Sequence, residues 1–95
     1  WKFISGKWYY LNSAGSMQTG WLNQGGKWYY LYSDGAMATG WAKVDGVWDY
    51  LNTSGDLVTG WFQAGGKWYY AYSSGALAVN TTINGYTLNA NGEWV

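Results

Sequence analysis

The sequence predicts an all-β fold, a β-solenoid of stacked β-hairpins with a repeat of about twenty residues. Three observations predict it. The chain superposes on itself at a shift of twenty: Trp1, Trp21, Trp41 and Trp61 share one column, and Trp8, Trp28, Trp48 and Trp68 a second. Tyr10, Tyr30, Tyr50 and Tyr70 fill a third column, and Met17, Met37, Leu57 and Leu77 a fourth. Glycine recurs with the same period, at Gly6, Gly26, Gly46 and Gly66 and again at Gly15, Gly35, Gly55 and Gly75. Finally, the segments "WYYL", "WDYL" and "WYYA" suit strands, and fifteen glycines with no 3.6-residue apolar period do not build amphipathic helices.

The elements follow in order. Residues 1–20 carry a turn at Ser5-Gly6 before "KWYY", and residues 21–40 carry one at Gly25-Gly26. Residues 41–60 turn at Asp45-Gly46, and residues 61–80 at Gly65-Gly66. Two-residue hairpin loops need positive φ, which Gly and Asp-Gly supply at little cost. In the second unit the hairpin pairs Trp21–Gln24 with Lys27–Tyr30 or Leu31, and "YSDGAMATG" reads as the loop to the next unit. Residues 81–95 depart from the pattern. Asn80 and Thr81 stand where Gly-Trp is expected, and "NGYTLNANGEW" reads as a shortened capping unit. The whole of 1–95 is one repeat module. It opens in mid-pattern at Trp1, without an initiator Met, and reads as a fragment of a longer protein.

Strand alternation fixes the faces. With Gly25 and Gly26 as the turn, Asn23 lies opposite Trp28 and Trp21 opposite Tyr30. Trp21, Trp28 and Tyr30 then share one face, while Leu22 and Tyr29 point to the other. A single hairpin is marginal in water, so each must stack on its neighbours.

Composition excludes several functions. Charged residues are 11% of the chain and the net charge is zero, which gives no basic footprint for nucleic acid or an anionic membrane surface. Cys and His are absent, so disulfides, Cys or His metal sites and His-based catalysis are excluded. No apolar run approaches the ~20 residues that span a bilayer, so no membrane insertion is expected. The carboxylates are Asp34, Asp45, Asp49, Asp56 and Glu93; Asp34, Asp45 and Asp56 sit in turn contexts and no two are set to pair. Neither a nucleophile elbow nor a phosphate-binding loop occurs. No catalytic residue, metal ligand or cofactor is assigned, and an enzyme activity would belong to an attached module.

The nine Trp and ten Tyr therefore carry the functional question. One reading makes them the core of a chain poor in aliphatic residues, and it suits Tyr9, Tyr29 and Tyr69 best. Asp49 in that same column suggests a partly solvent-facing position. The other reading makes the Trp/Tyr face a row of open cages. Ring faces attract quaternary ammonium groups, which have no N–H to donate and need no carboxylate.

The stretch "GWLNQGGKWYYLYSDGAMATGW", residues 20–41, resembles the repeat of the choline-binding family of cell-wall-binding modules, and the match extends over residues 1–79. The resemblance implies a left-handed superhelix of hairpins and loops, with choline between consecutive hairpins. A site in the family takes two Trp from one unit and a Tyr from the next, with a Met beside them. Carried onto this sequence, the first site takes Trp1, Trp8, Tyr30 and Met37, and the second Trp21, Trp28, Tyr50 and Leu57. The third takes Trp41, Trp48, Tyr70 and Leu77. A fourth is incomplete: Trp61 and Trp68 are present, but aligning Gly92 with Gly75 puts Thr87 in the Tyr column and Trp94 in the Met column.

The implied partner is the choline of phosphocholine-decorated teichoic and lipoteichoic acids, and the implied place is outside the cell, attached non-covalently to the bacterial wall. Lys2, Lys7, Lys27, Lys43 and Lys67 read as solubilising charges. Two alternatives stay open. Aromatic faces also stack on sugars, so a glucan-binding module with Asn23, Gln24 and Gln63 as polar partners is the second reading. A spacer or dimerisation module is the third: Ile83, Tyr86, Leu88, Trp94 and Val95 form either a cap or a homodimer patch.

Overall fold

The computed structural model describes residues 1–95. Ten strands form five two-stranded sheets, and no helix occurs. The hairpins pair β1 (Lys2–Ile4) with β2 (Lys7–Tyr9), β3 (Gly20–Gln24) with β4 (Lys27–Leu31), and β5 (Gly40–Val44) with β6 (Val47–Leu51). Then follow β7 (Gly60–Ala64) with β8 (Lys67–Ala71) and β9 (Thr81–Ile83) with β10 (Tyr86–Leu88).

The turns obey the expected chemistry. Gly25 and Gly26 have φ of 62° and 81°, and Asp45 and Gly46 have 51° and 80°. Positive φ at both central residues is the type I′ signature, whose twist matches that of the flanking strands. The register is also the expected one, with Trp21 opposite Tyr30, Leu22 opposite Tyr29 and Asn23 opposite Trp28. Asn80 keeps the φ of the glycine it replaces, 50° against 78° at Gly60. Asparagine tolerates that left-handed region better than most residues.

The loops lock onto two hairpins at once. Met37 N–H donates to the Trp8 carbonyl at 2.9 Å, in the preceding hairpin, while Ala38 N–H donates to Tyr30 at 2.8 Å, in its own. Leu77 and Ala78 repeat this against Trp48 and Tyr70, both at 2.9 Å, and Trp94 and Val95 repeat it against Trp68 and Thr87 at 2.9 and 3.0 Å. In the loops of Asn12, Asn52 and Asn89 the side-chain oxygen accepts the backbone N–H two residues on, at 2.9 to 3.0 Å. Tyr32 stands at the equivalent place, and there Asp34 takes over, accepting the Ala36 N–H at 2.9 Å.

The core is small and, apart from Phe62, aliphatic. Leu31, Leu51 and Leu88 are fully buried, with Ala36, Ala38, Ala71 and Ala78 nearby in burial. Eight of the nine Trp are at least 36% exposed, so the indoles are not the core. Asp49 corrects the expectation of a solvent-facing column, because it is buried at 4% exposure. Burial alone pushes its carboxyl up to about 6.

The chain forms two compact units. The first holds Trp1–Gly40 and Leu51–Leu57, the second Trp41–Tyr50 and Val58–Val95. The boundary passes through the third repeat. Its loop joins the first unit, where Leu57 N–H donates to the Trp28 carbonyl at 2.8 Å, and its hairpin joins the second.

Candidate functional site: aromatic cages

Each cage begins with a cross-strand pair. Trp1 meets Tyr10 at 5.2 Å between ring centroids, Trp41 meets Tyr50 at 4.9 Å and Trp61 meets Tyr70 at 5.1 Å, all edge-on at 63–68°. The tyrosine edge holds the indole upright, a favoured arrangement for aromatic quadrupoles. The second Trp of the unit shares that face. Trp41 and Trp48 stand 6.3 Å apart at 89°.

The third ring comes from the opposite face of the next hairpin. Trp1 meets Tyr29 at 5.1 Å and 63°, and Trp41 meets Tyr69 at 4.9 Å and 71°. This differs from the assignment of Tyr30 and Tyr70 to these cages. Tyr30 sits across from Trp21 at 5.0 Å, and Tyr70 across from Trp61 at 5.1 Å, so each braces its own hairpin's Trp. The reason is geometric. Within each unit the front of one hairpin meets the back of the next. Strand alternation places Tyr29 on that back face and Tyr30 on the front.

Three open pockets result within the two units. In the first unit Trp1, Trp8, Tyr29 and Met37, with Thr53 and Ser54 at the rim, line about 350 Å³. In the second unit Trp41, Trp48, Tyr69 and Leu77, with Val79, Ala90 and Asn91, line about 360 Å³. Trp61, Trp68, Tyr86 and Trp94 line about 370 Å³. Of the remaining expected cage, Trp21, Trp28 and Leu57 lie in the first unit, and Tyr50 lies in the second against Trp41 and Phe62.

Tyr86 was not picked out as a ring donor from the sequence. The fifth hairpin is shortened on the turn side, so counting from the turn sets Tyr86 in the Lys67 column. Counting back from the loop bridge, Leu88 with Trp94 as Ala71 with Leu77, sets it in the Tyr69 column. The alignment of Gly92 with Gly75 gives the same column, so the missing signal was that the Tyr69 column supplies the third ring. The same count leaves Thr87 in the Tyr70 column, as the glycine alignment has it.

No carboxylate lines any of the three cavities. The Lys43 ammonium already lies over the Trp48 ring, 5.8 Å from its centroid, a cation–π contact within the chain. No group of His, Cys, Asp or Glu could hold a metal ion.

Such a fold defines a class: a β-hairpin solenoid repeat module, here with aromatic-lined pockets. The profile of the choline-binding repeat family matches residues 1–39, 19–59 and 38–81, and the chain belongs to that family. It is similar to choline binding protein F from Streptococcus pneumoniae, solved with a peptidoglycan analogue, at 65% identity and a TM-score of 0.97. The match covers 100% of this chain and 32% of that one. The autolysin LytC from Streptococcus pneumoniae is 31% identical over 100% of this chain and 22% of that one, with a TM-score of 0.78. The cell-wall endolysin of phage Cp-1, complexed with choline, is 40% identical over 100% of this chain and 30% of that one, with a TM-score of 0.69. The chain thus spans a third or less of the length of these three relatives. A search of curated protein sequences found no match.

Proposed function

We propose that this chain is a non-catalytic module that binds the choline of phosphocholine-decorated teichoic and lipoteichoic acids and so holds its parent protein on the outside of the bacterial wall. The observation that carries this reading is the repeated pocket of about 350–370 Å³ walled by two Trp and the Tyr of the next hairpin, with an apolar or aromatic residue as the fourth wall. A trimethylammonium head fits such a box, because its positive charge is spread over methyl groups that lie flat against ring faces. The choline complex of the Cp-1 endolysin and the family membership support the ligand.

A cage of this kind nets roughly 3–5 kcal/mol after binding entropy, a dissociation constant on the order of millimolar. Several weak sites on one module raise avidity for a polymer by about 10²–10⁴ where the spacing fits. Weak single sites and a multivalent wall polymer belong together in this reading.

A sugar platform is the second reading, and one observation favours it. A groove of about 580 Å³ in the first unit is lined by Lys7, Ser33, Asp34 and Thr39 beside Tyr32, which is 40% exposed. Titration of tryptophan fluorescence with choline, and with its uncharged isostere 3,3-dimethylbutanol, separates the two. Saturation by choline with a much weaker response to the alcohol is expected. Equal responses, or none to choline, would remove the cage reading in favour of a glucan titration. Light scattering tests the homodimer alternative, with a monomer expected.

A further inference from the structure

The fourth wall of the cages differs, and the difference has a packing cause. Met37 closes the first cage, Leu77 the cage of Trp41 and Trp48, and Trp94 the cage of Trp61 and Trp68. Backbone bonds put all three in one column: Met37, Leu77 and Trp94 each donate N–H to the second Trp of the cage they close, at 2.9 Å.

Side chains in this column have a second task. Met17 lies where a Cβ on Gly35 would sit, with Cγ at 2.8 Å, and Met37 does the same at Gly55, with Cε at 2.8 Å. Leu77 lies 2.6 Å from such a Cβ on Gly92. Each slender side chain fills the space that a loop glycine leaves open. An indole would overfill that notch, which restricts the column there to Met and Leu. Trp94 stands outside this restriction. Half of its surface is exposed, and its ring meets Tyr86 at 5.7 Å and 80°, while Tyr86 meets Trp61 at 5.5 Å and 78°.

We propose that Trp94 makes the cage of Trp61, Trp68, Tyr86 and Trp94 the tightest and most charge-selective choline site of the chain, the one filled first. This rests on the cage reading above. Leucine offers a bound cation only apolar contact, and methionine a polarisable sulfur. An indole offers the most favourable cation–π face. Because Trp94 is half exposed, the added ring is worth roughly three- to tenfold in affinity rather than the full effect of a desolvated contact. The ring count, four against three, sets the direction.

The test uses the whole chain labelled with 5-fluorotryptophan, whose nine indoles give separate fluorine signals. Single Trp→Phe variants assign them. Choline chloride is titrated in, and 3,3-dimethylbutanol in parallel. The Trp61, Trp68 and Trp94 signals are expected to move at roughly three- to tenfold lower choline than those of Trp1, Trp8, Trp41 and Trp48. In Trp94→Leu, whose backbone bonds to Trp68 and Leu88 remain, the Trp61 and Trp68 signals should move together with the other cages, while the response to the alcohol changes little. Trp94→Phe should fall between. If no signal responds to choline, the cage reading itself fails. If the other cages respond at equal or lower choline than Trp61 and Trp68, or if Trp94→Leu leaves the order of filling unchanged, the assignment of Trp94 is overturned and the cage reading stands.

Discussion

The buried Asp49 makes stability depend on pH in a way that can be calculated. Its carboxyl is raised from 3.8 to about 6 because burial disfavours the charged form. Between about pH 4 and 6 the unfolded chain has already lost this proton while the folded chain keeps it. The unfolded state then binds fewer protons, and stability falls as pH rises. The contribution is whole below pH 4 and lost above about pH 6. The difference between 3.8 unfolded and about 6 folded corresponds to about 3 kcal/mol. For a domain of this size that is a fall in melting temperature on the order of 10–20 °C.

Asp49→Asn keeps the shape and removes the ionisation. Its melting temperature should be flat from pH 4 to 7 and exceed that of the wild type at pH 7.5. Asp56 works in the opposite direction and in another window. Hydrogen bonding to Ser54 holds its carboxyl below the usual range, so its contribution is present above about pH 4 and lost below. Near-UV circular dichroism melts at half-unit steps of pH read both. A wild-type melting temperature that is constant from pH 4 to 7 would refute the reasoning. So would an Asn variant that keeps the wild-type slope.

Three other outcomes are expected. Tyr29→Leu should weaken choline binding in the first cage by roughly three- to tenfold, read as the fluorine shift of Trp1 and Trp8, because it removes one ring face. Tyr30→Leu should leave that cage in place and lower the urea midpoint, because it strips Trp21 and Tyr32 of their edge contacts at 5.0 and 5.8 Å. Gly35→Ala, with φ of 88° and the Met17 side chain in the way, should cost about 2–3 kcal/mol in urea unfolding, against ~1 kcal/mol for Gly25→Ala, where nothing lies within 4 Å. Choline at about a hundred times its dissociation constant should raise stability by about 2.7 kcal/mol per site, seen as a rise in melting temperature.

How much of this was legible in the sequence depends on the scale of the interaction. Hairpins were legible because their determinants are local: a Gly or Asp-Gly pair fixes the turn, the turn fixes the register, and the register puts Trp21 across from Tyr30. The Trp columns were legible because the period is strict. What failed was the choice between Tyr29 and Tyr30. Alternation correctly put them on opposite faces of one hairpin, but alternation alone says nothing about which face meets the preceding hairpin. The contacts within each unit supply the answer, front against back, and they select Tyr29, Tyr69 and Tyr86. Asp49 was misjudged for the same reason. A carboxylate in a Tyr column looks like a sign of solvent, until the column is recognised as the face that packs.

The two tasks of the aromatic rings can now be separated by position. Tyr10, Tyr50 and Tyr70 act within a hairpin, setting the first Trp upright, whereas Tyr29, Tyr69 and Tyr86 act between hairpins and complete a box. In each unit the buried leucines, Leu31 and Leu51 in the first and Leu88 in the second, bridge to their own loops, while eight of the nine indoles stay exposed. Stability and recognition are therefore carried by different columns of one repeat. The Met and Leu column is where they meet, since the same side chain fills a glycine notch and walls a cage. A change there must satisfy both, and Trp94, seated among rings with half its surface open, shows what the column can hold when packing asks less of it.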